Sequence, residues 1–244
     1  MEGRYGNLVV TSRGLSFVRQ IKESFFPRFC LGCHREGQLW CVSCSSVWWP
    51  KPLVVGCPFC GVGSFPQTCQ SCKQETFLDG LWVFGSYGNP ILREAILQWK
   101  YIGDRTIEPI LQQWLCRAAP SFFELGKDAV FAPVPLHVRK RRARGFDQSG
   151  LIADWCGQLC SRPAFDLLKR TTFTTPQAGR QQSQRRLGEL DGIFSLHPNI
   201  GEVPKRVVLC DDVFTSGATM DSAARVLKEA GVEHVIGFVL AKGK

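Results

Sequence analysis

The sequence has no run of about 18 apolar residues, the length a membrane-crossing helix needs. It also lacks the apolar core of a signal peptide. Residues 1–14 are polar, and positions 15–26 are broken by Arg19, Gln20, Lys22 and Glu23. The chain is therefore expected in the cytosol, with no transmembrane segment, where cysteines stay reduced unless they hold metal. No Gly-Lys-Ser/Thr occurs, which excludes a Walker-type phosphate loop. Low-complexity tracts are absent, as are tandem repeats beyond paired cysteines. Acidic side chains are scarce: 21 against 30 basic ones leave a net charge of +9. That balance favours anionic partners such as nucleic acid, phosphorylated metabolites or acidic lipid, without choosing among them. With 44% hydrophobic and 11% aromatic residues, the 244-residue chain has the material for a medium domain plus a small one.

Cysteine is abundant but uneven. Eight of the 12 cysteines lie between positions 30 and 72, as Cys30/Cys33, Cys41/Cys44, Cys57/Cys60 and Cys69/Cys72. A two-residue gap lets both thiolates of a tight turn face one ion, and two such pairs complete a tetrahedral site. Four pairs predict two structural Zn2+ ions, because soft thiolates in a tetrahedron suit zinc. Neighbouring pairs can share an ion, or first can join third; spacing leaves both open. A disulfide framework fits poorly without a secretion signal. His34 is read as a surface residue, since cysteine fills all eight ligand positions. This segment has little apolar content, so metal should supply most of its folding free energy. Cys156 and Cys160, one helical turn apart, read as core, and Cys210 sits in a strand.

The composition shifts near residue 76. Residues 1–76 read as an N-terminal helix (Leu15, Val18, Ile21, Lys22 and Phe25 at helical spacing) and a double zinc ribbon. Residues 77–244 alternate apolar strands with amphipathic helices, the pattern of an α/β domain. Strands are expected at 81–87, 129–133, 207–210 and 235–240, with a short one at Leu167-Leu168. Asn89-Pro90 predicts a helix start, and Gly231 a helix end.

The most informative stretch is Val207-Val208-Leu209-Cys210-Asp211-Asp212-Val213-Phe214-Thr215-Ser216-Gly217-Ala218-Thr219. A buried strand delivers two carboxylates, then a loop of small and hydroxylated residues, then a helix. Ligands of open α/β sheets bind beyond the strand C-terminal ends. A helix N-terminus offers N–H groups and partial positive charge to a phosphate. Paired carboxylates accept hydrogen bonds from a sugar diol. The stretch resembles the 5-phosphoribosyl-1-pyrophosphate (PRPP) motif of type I phosphoribosyltransferases. By that resemblance Asp211 and Asp212 hold the ribose hydroxyls, and Thr215, Ser216, Gly217, Ala218 and Thr219 hold the 5-phosphate.

Another expected strand leads into Pro133-Val134-Pro135-Leu136-His137 and then a loop with five basic residues in the six positions 139–144. Such density suits pyrophosphate or a nucleic-acid backbone. The order of short motifs along the whole chain resembles the ComF family: Phe26-Pro27-Arg28-Phe29-Cys30 leading into a double zinc ribbon, the His137 segment, Arg144-Gly145-Phe146-Asp147-Gln148, Lys169-Arg170-Thr171, Thr175-Pro176-Gln177 and the PRPP motif. Two positions depart from the family pattern. Asp147 and Glu189 stand where the family has an amide, although Arg186 and Gly192-Ile193-Phe194 remain.

The resemblance implies a type I phosphoribosyltransferase-like parallel sheet with flanking helices, preceded by a small Cys-rich zinc-ribbon domain. It further implies binding of PRPP, with Mg2+ on the ligand's oxygens, and handling of single-stranded DNA during natural competence, alongside competence-machinery proteins. His137 and Arg144 are expected to touch ligand, and Arg139 to stabilise charge on a leaving pyrophosphate, as in phosphoribosyl transfer. A nucleobase-salvage enzyme and a non-catalytic zinc-dependent nucleic-acid-binding protein are the alternatives. Salvage chemistry does not need the cysteine segment, and a pure binder does not need the two aspartates.

Overall fold

The computed structural model describes residues 27–53, 55–118, 128–136, 138–171 and 192–243. The expected helix at 15–25, and positions 137, 175–177, 186 and 189, lie outside the described residues. The chain divides into two compact units, Met1–Trp48 and Trp49–Lys244. The cysteines at 57–72 therefore belong with the sheet, whereas the shift in composition falls near residue 76.

The first unit carries helix α1 (Val42–Val47), with Cys41 at its N-cap accepting the Cys44 N–H at 3.4 Å. The Trp40 and Trp48 rings meet edge to face at 5.5 Å.

The second unit is built on four parallel strands: β1 (Gly80–Val83), β2 (Ala129–Pro133), β5 (Arg206–Phe214) and β6 (His234–Lys242), in the order β1-β6-β5-β2. Two short antiparallel strands, β3 (Leu168–Arg170) and β4 (Phe194–Leu196), form a separate ribbon. Parallel neighbours need crossovers, and helices supply them. Helices α2 (Pro90–Leu97) and α3 (Glu108–Ala118) link β1 to β2. Helix α6 (Ala218–Glu229) links β5 to β6. Between β2 and the β3–β4 ribbon come α4 (Val138–Arg144) and α5 (Gln148–Cys160).

The apolar run at 207–210 is buried throughout because helices cover both faces of the sheet. Val207 and Leu209 pack with Ala223, Ala224 and Leu227 of α6. Cys210 meets Cys156 of α5 across the other face, and α5 packs on β2 and β5. Among the described residues no helix is long and apolar enough to cross a membrane.

Sequence rules set most boundaries. Asn89 Oδ1 accepts the N–H groups of Ile91 and Leu92, each at 3.1 Å, and Pro90 occupies the first helical position of α2. Gly231 follows α6 with φ +103°. Two expectations change. Strand β5 does not stop at Cys210 but continues through both aspartates, with Asp211 paired to Val239 and Val213 to Ala241. The basic run is not a loop: α4 is helical, because Lys and Arg are good helix formers and no breaker intervenes. Gly145 ends it at φ +79°, its N–H reaching Arg141 O at 2.9 Å.

Candidate functional site

Strand β5 carries Asp211 and Asp212 at the open end of the sheet. Asp211 accepts the Ser149 hydroxyl at 2.9 Å and the Asp212 N–H at 2.8 Å, both through Oδ1. Asp212 is 7% exposed and is bridged by Lys100 Nζ, 2.7 Å from Oδ2 and 2.9 Å from Oδ1. Burial pushes the Asp211 carboxyl up to about 7, and the neighbouring Asp212 charge adds to this; Lys100, the Asp212 N–H and Ser149 oppose it. Burial works against the Lys100 charge, but the Asp212 carboxylate outweighs it and holds the ammonium above its ordinary range. Asp212 is thus ion-paired with Lys100, and Asp211 lies near its titration point at neutral pH.

The loop after β5 reverses into α6 at Gly217, whose φ is +82°. A Cβ there would lie 2.5 Å from the Phe214 ring and 2.9 Å from the Phe59 ring, so only glycine fits. Gly217 caps α6 with no side chain of its own, and the Ala218 N–H reaches Ser216 Oγ at 3.5 Å. Thr215, Ser216 and Thr219 are partly exposed around this turn. One strand–loop–helix unit therefore assembles the two carboxylates, three hydroxyls and the positive end of a 12-residue helix.

Helix α4 begins five residues beyond β2, the sheet neighbour of β5. Arg144, at its C-terminal end, donates from Nη1 to Gln148 Oε1 at 3.2 Å. Gln148 precedes Ser149, the donor to Asp211, so the basic helix is tied to the acid pair through α5. His137 and the side chain of Arg139 lie outside the described residues, although the Arg139 backbone is part of α4. Asp147 is the N-cap of α5, accepting the Gly150 N–H at 3.2 Å. Asp and Asn cap helices about equally well, so this departure from the family pattern preserves a structural role.

The cysteines gather as neighbouring pairs, which settles the pairing that spacing left open. Cys30, Cys33, Cys41 and Cys44 form one cluster and Cys57, Cys60, Cys69 and Cys72 the other, with all sulfurs of each within 4.8 Å of one another. The Cys33–Cys41 and Cys60–Cys69 sulfurs are 3.7 and 3.6 Å apart. A tetrahedron with metal–sulfur bonds of about 2.3 Å has an edge of about 3.8 Å, whereas a disulfide brings sulfurs to about 2.05 Å. All eight thiols are free, and the donor sets fit one structural metal ion each. Burial opposes ionisation of Cys30 and Cys57, but backbone N–H donors outweigh it and bring each down to about 6.

The second cluster touches the β5–α6 loop directly. Phe59, between Cys57 and Cys60, packs edge to face on Phe214 at 6.2 Å. Asp221, buried in the first turn of α6, accepts the Phe77 and Leu78 N–H groups at 2.7 and 3.0 Å. Sequence reasoning missed Phe59, Ser149 and Lys100. Their partners are remote in the chain, and only the charge of Lys100, directly after the buried Trp99, hinted that it would need one.

A parallel sheet of this kind, ending in this acid–loop–helix unit, defines a phosphoribosyltransferase-like protein. The family description "Phosphoribosyl transferase domain" matches residues 170–244. The chain is 31% identical to "Competence protein F" of Haemophilus influenzae over 76% of its own length and 85% of that protein. It is 28% identical to "Competence protein ComFC" of Bacillus subtilis over 72% of each chain. It is 24% identical to "Competence protein ComFC" of Streptococcus pneumoniae over 76% of this chain and 80% of that one. The chain belongs to the ComF family.

Proposed function

We propose that this protein binds PRPP, or a related sugar phosphate, at residues 211–219 and handles single-stranded DNA taken up during natural competence. The observation that carries the reading is the Asp211–Asp212 pair, with Asp212 buried and neutralised by Lys100, at the head of the Thr215, Ser216, Gly217, Ala218 and Thr219 turn. The ribose diol would sit on the carboxylates and the 5-phosphate on the turn at the N-terminus of α6. Arg144, with His137 and Arg139, would face the pyrophosphate, whose charge needs forked cationic donors. Residues 77–244 would carry the ligand site. The metal scaffold up to residue 76 would hold Zn2+ in each four-cysteine cluster, which thiolate softness favours. Mg2+ would accompany PRPP on the ligand's own oxygens. The competence role is suggested by what the relatives are called.

The test is a thermal shift of the zinc-loaded chain with PRPP and Mg2+, against the Asp211→Ala/Asp212→Ala variant. A shift in the wild type that disappears in the variant is expected. No wild-type shift would remove the ligand assignment. Because an ionised Asp211 accepts hydroxyl hydrogen bonds best, PRPP affinity should rise as pH climbs through about 7. For the unliganded fold the sign is opposite. A buried carboxyl raised above its unfolded pKa costs stability as pH rises from about 4 to 7, and Asp211→Asn should flatten that slope in melts taken across the range.

A further inference from the structure

We infer that Tyr101 is a stacking platform for a nucleobase, placed at the rim of the acid pair. The inference deepens the proposed function and rests on it only for what the neighbouring pair binds. Residues Gln98–Ile102 form a π-helical turn, a rare form that occurs mostly as single turns and frequently at functional sites. Three consecutive side chains of this turn do different work. Trp99 is fully buried and stacks on Trp155 at 5.6 Å, which anchors the turn. Lys100 reaches inward to Asp212 at 2.7 Å. Tyr101 points outward and is 70% exposed.

The Arg144 guanidinium lies 5.8 Å from the centre of the Tyr101 ring. Through Gln148 and Ser149 the same arginine connects back to Asp211. Two independent routes, one along the π turn and one along α5, thus lead from the acid pair to this one ring. A large exposed aromatic is not needed by the core; its partner here is a cation of the same basic helix. Aromatic faces with nearby arginine are how proteins hold bases without reading sequence. Gln148 is 2% exposed and accepts the Arg144 guanidinium on its Oε1 at 3.2 Å, which holds the cation beside the ring.

The chemistry is that of a flat nucleobase, whether free or in a single strand. The experiment uses the zinc-loaded full chain and fluorescence anisotropy of a labelled oligothymidylate strand, with an abasic strand of equal charge beside it. Tyr101→Ala should weaken the oligothymidylate complex by roughly tenfold or more, the loss expected of one stacked base. It should leave the abasic complex unchanged. Tyr101→Phe, which keeps the ring, should stay within about twofold of wild type. Free adenine displacing the labelled strand from wild type, but not from Tyr101→Ala, would assign a free base; retention of the strand would assign the strand. Equal oligothymidylate affinity of wild type and Tyr101→Ala, with no adenine effect on either, would overturn the proposal, as would an abasic strand held as tightly as oligothymidylate. The PRPP thermal shift on the same proteins separates the two readings. Tyr101→Ala should retain it, and its absence from wild type would remove the sugar-site reading while the stacking result stood.

Discussion

The two cysteine clusters are near copies of one another in backbone and unlike in what surrounds them. In the first, the Cys30 N–H donates to Arg35 O at 2.9 Å and the His34 N–H to Cys30 O at 2.9 Å. In the second, the Cys57 N–H donates to Val62 O and the Gly61 N–H to Cys57 O, both at 2.8 Å. The second halves also match, with the Ser45 N–H on Cys41 O and the Lys73 N–H on Cys69 O. Shared spacing therefore produces a shared knuckle. The residues between the cysteines differ: Leu31-Gly32 in one, Pro58-Phe59 in the other. Gly32 makes room for Cys44 Sγ, which a Cβ would approach to 2.8 Å. Phe59 instead reaches the Phe214–Gly217 turn. Both clusters have the donor set of a structural metal ion, and the second is built into the turn of the candidate sugar site.

Disabling each four-cysteine cluster in turn has the largest expected effect. Cys57→Ser/Cys60→Ser should lower bound zinc from two equivalents to one, as Cys30→Ser/Cys33→Ser should, when measured by elemental analysis. The two variants should then part. Loss of the second knuckle releases Phe59 and the Phe77–Asp221 anchor, a cost comparable to truncating a buried Phe at about 3–5 kcal/mol. In a unit of this size that lowers the melting temperature of the sheet by about 10 °C, and the PRPP shift should vanish. Loss of the first knuckle should leave the sheet transition in place. Equal melting of the two variants would remove the bracing role assigned to the second cluster.

A smaller effect isolates the contact itself. Gly217→Ala forces a Cβ onto both rings and a strained φ onto alanine, for an expected cost of about 2–4 kcal/mol in denaturant unfolding. Phe59→Ala removes one of the two clashing rings. The double variant should therefore be less destabilised than the sum of the single changes, by about 1 kcal/mol. Strict additivity would mean that Phe59 does not press on the turn.

The sequence showed those parts whose chemistry is local. Pairs at fixed spacing revealed eight ligands, a continuous apolar run revealed the central strand, and Asn89-Pro90 revealed a helix start. The parts that join distant segments were hidden. Phe59 and Phe214 are 155 positions apart, and nothing in either neighbourhood names the other. Lys100 and Asp212 look like an ordinary surface cation and one of two equivalent acids until the fold sets one on the other. The basic run was legible as charge and misread as a loop. Charge density attracted the reading, while helix propensity, together with the stop at Gly145, decided the backbone. Asp147 shows the converse: in the sequence it stands out as a departure from a family pattern, and in the fold it is a helix cap.

The smallest expected effect concerns the left-handed backbone position that follows Cys33 in one knuckle and Cys60 in the other. His34 adopts φ +56° and Gly61 φ +77°, both in the left-handed region, and each follows the second cysteine of its pair. For a residue with a Cβ this region costs about 1–2 kcal/mol, while glycine gives back about 0.5–1 kcal/mol in lost chain entropy. His34→Gly should therefore tighten the first cluster by about 0.5 kcal/mol, or roughly twofold in a chelator competition. A Cβ at Gly61 would meet nothing within 4 Å. Gly61→Ala should thus weaken the second cluster through its backbone alone, again by a small factor. Opposite signs at equivalent positions would show that one knuckle conformation governs both metal sites. If His34→Gly weakened the first cluster instead, the histidine side chain would have to contribute there, and the two knuckles would cease to be equivalent even at the backbone level.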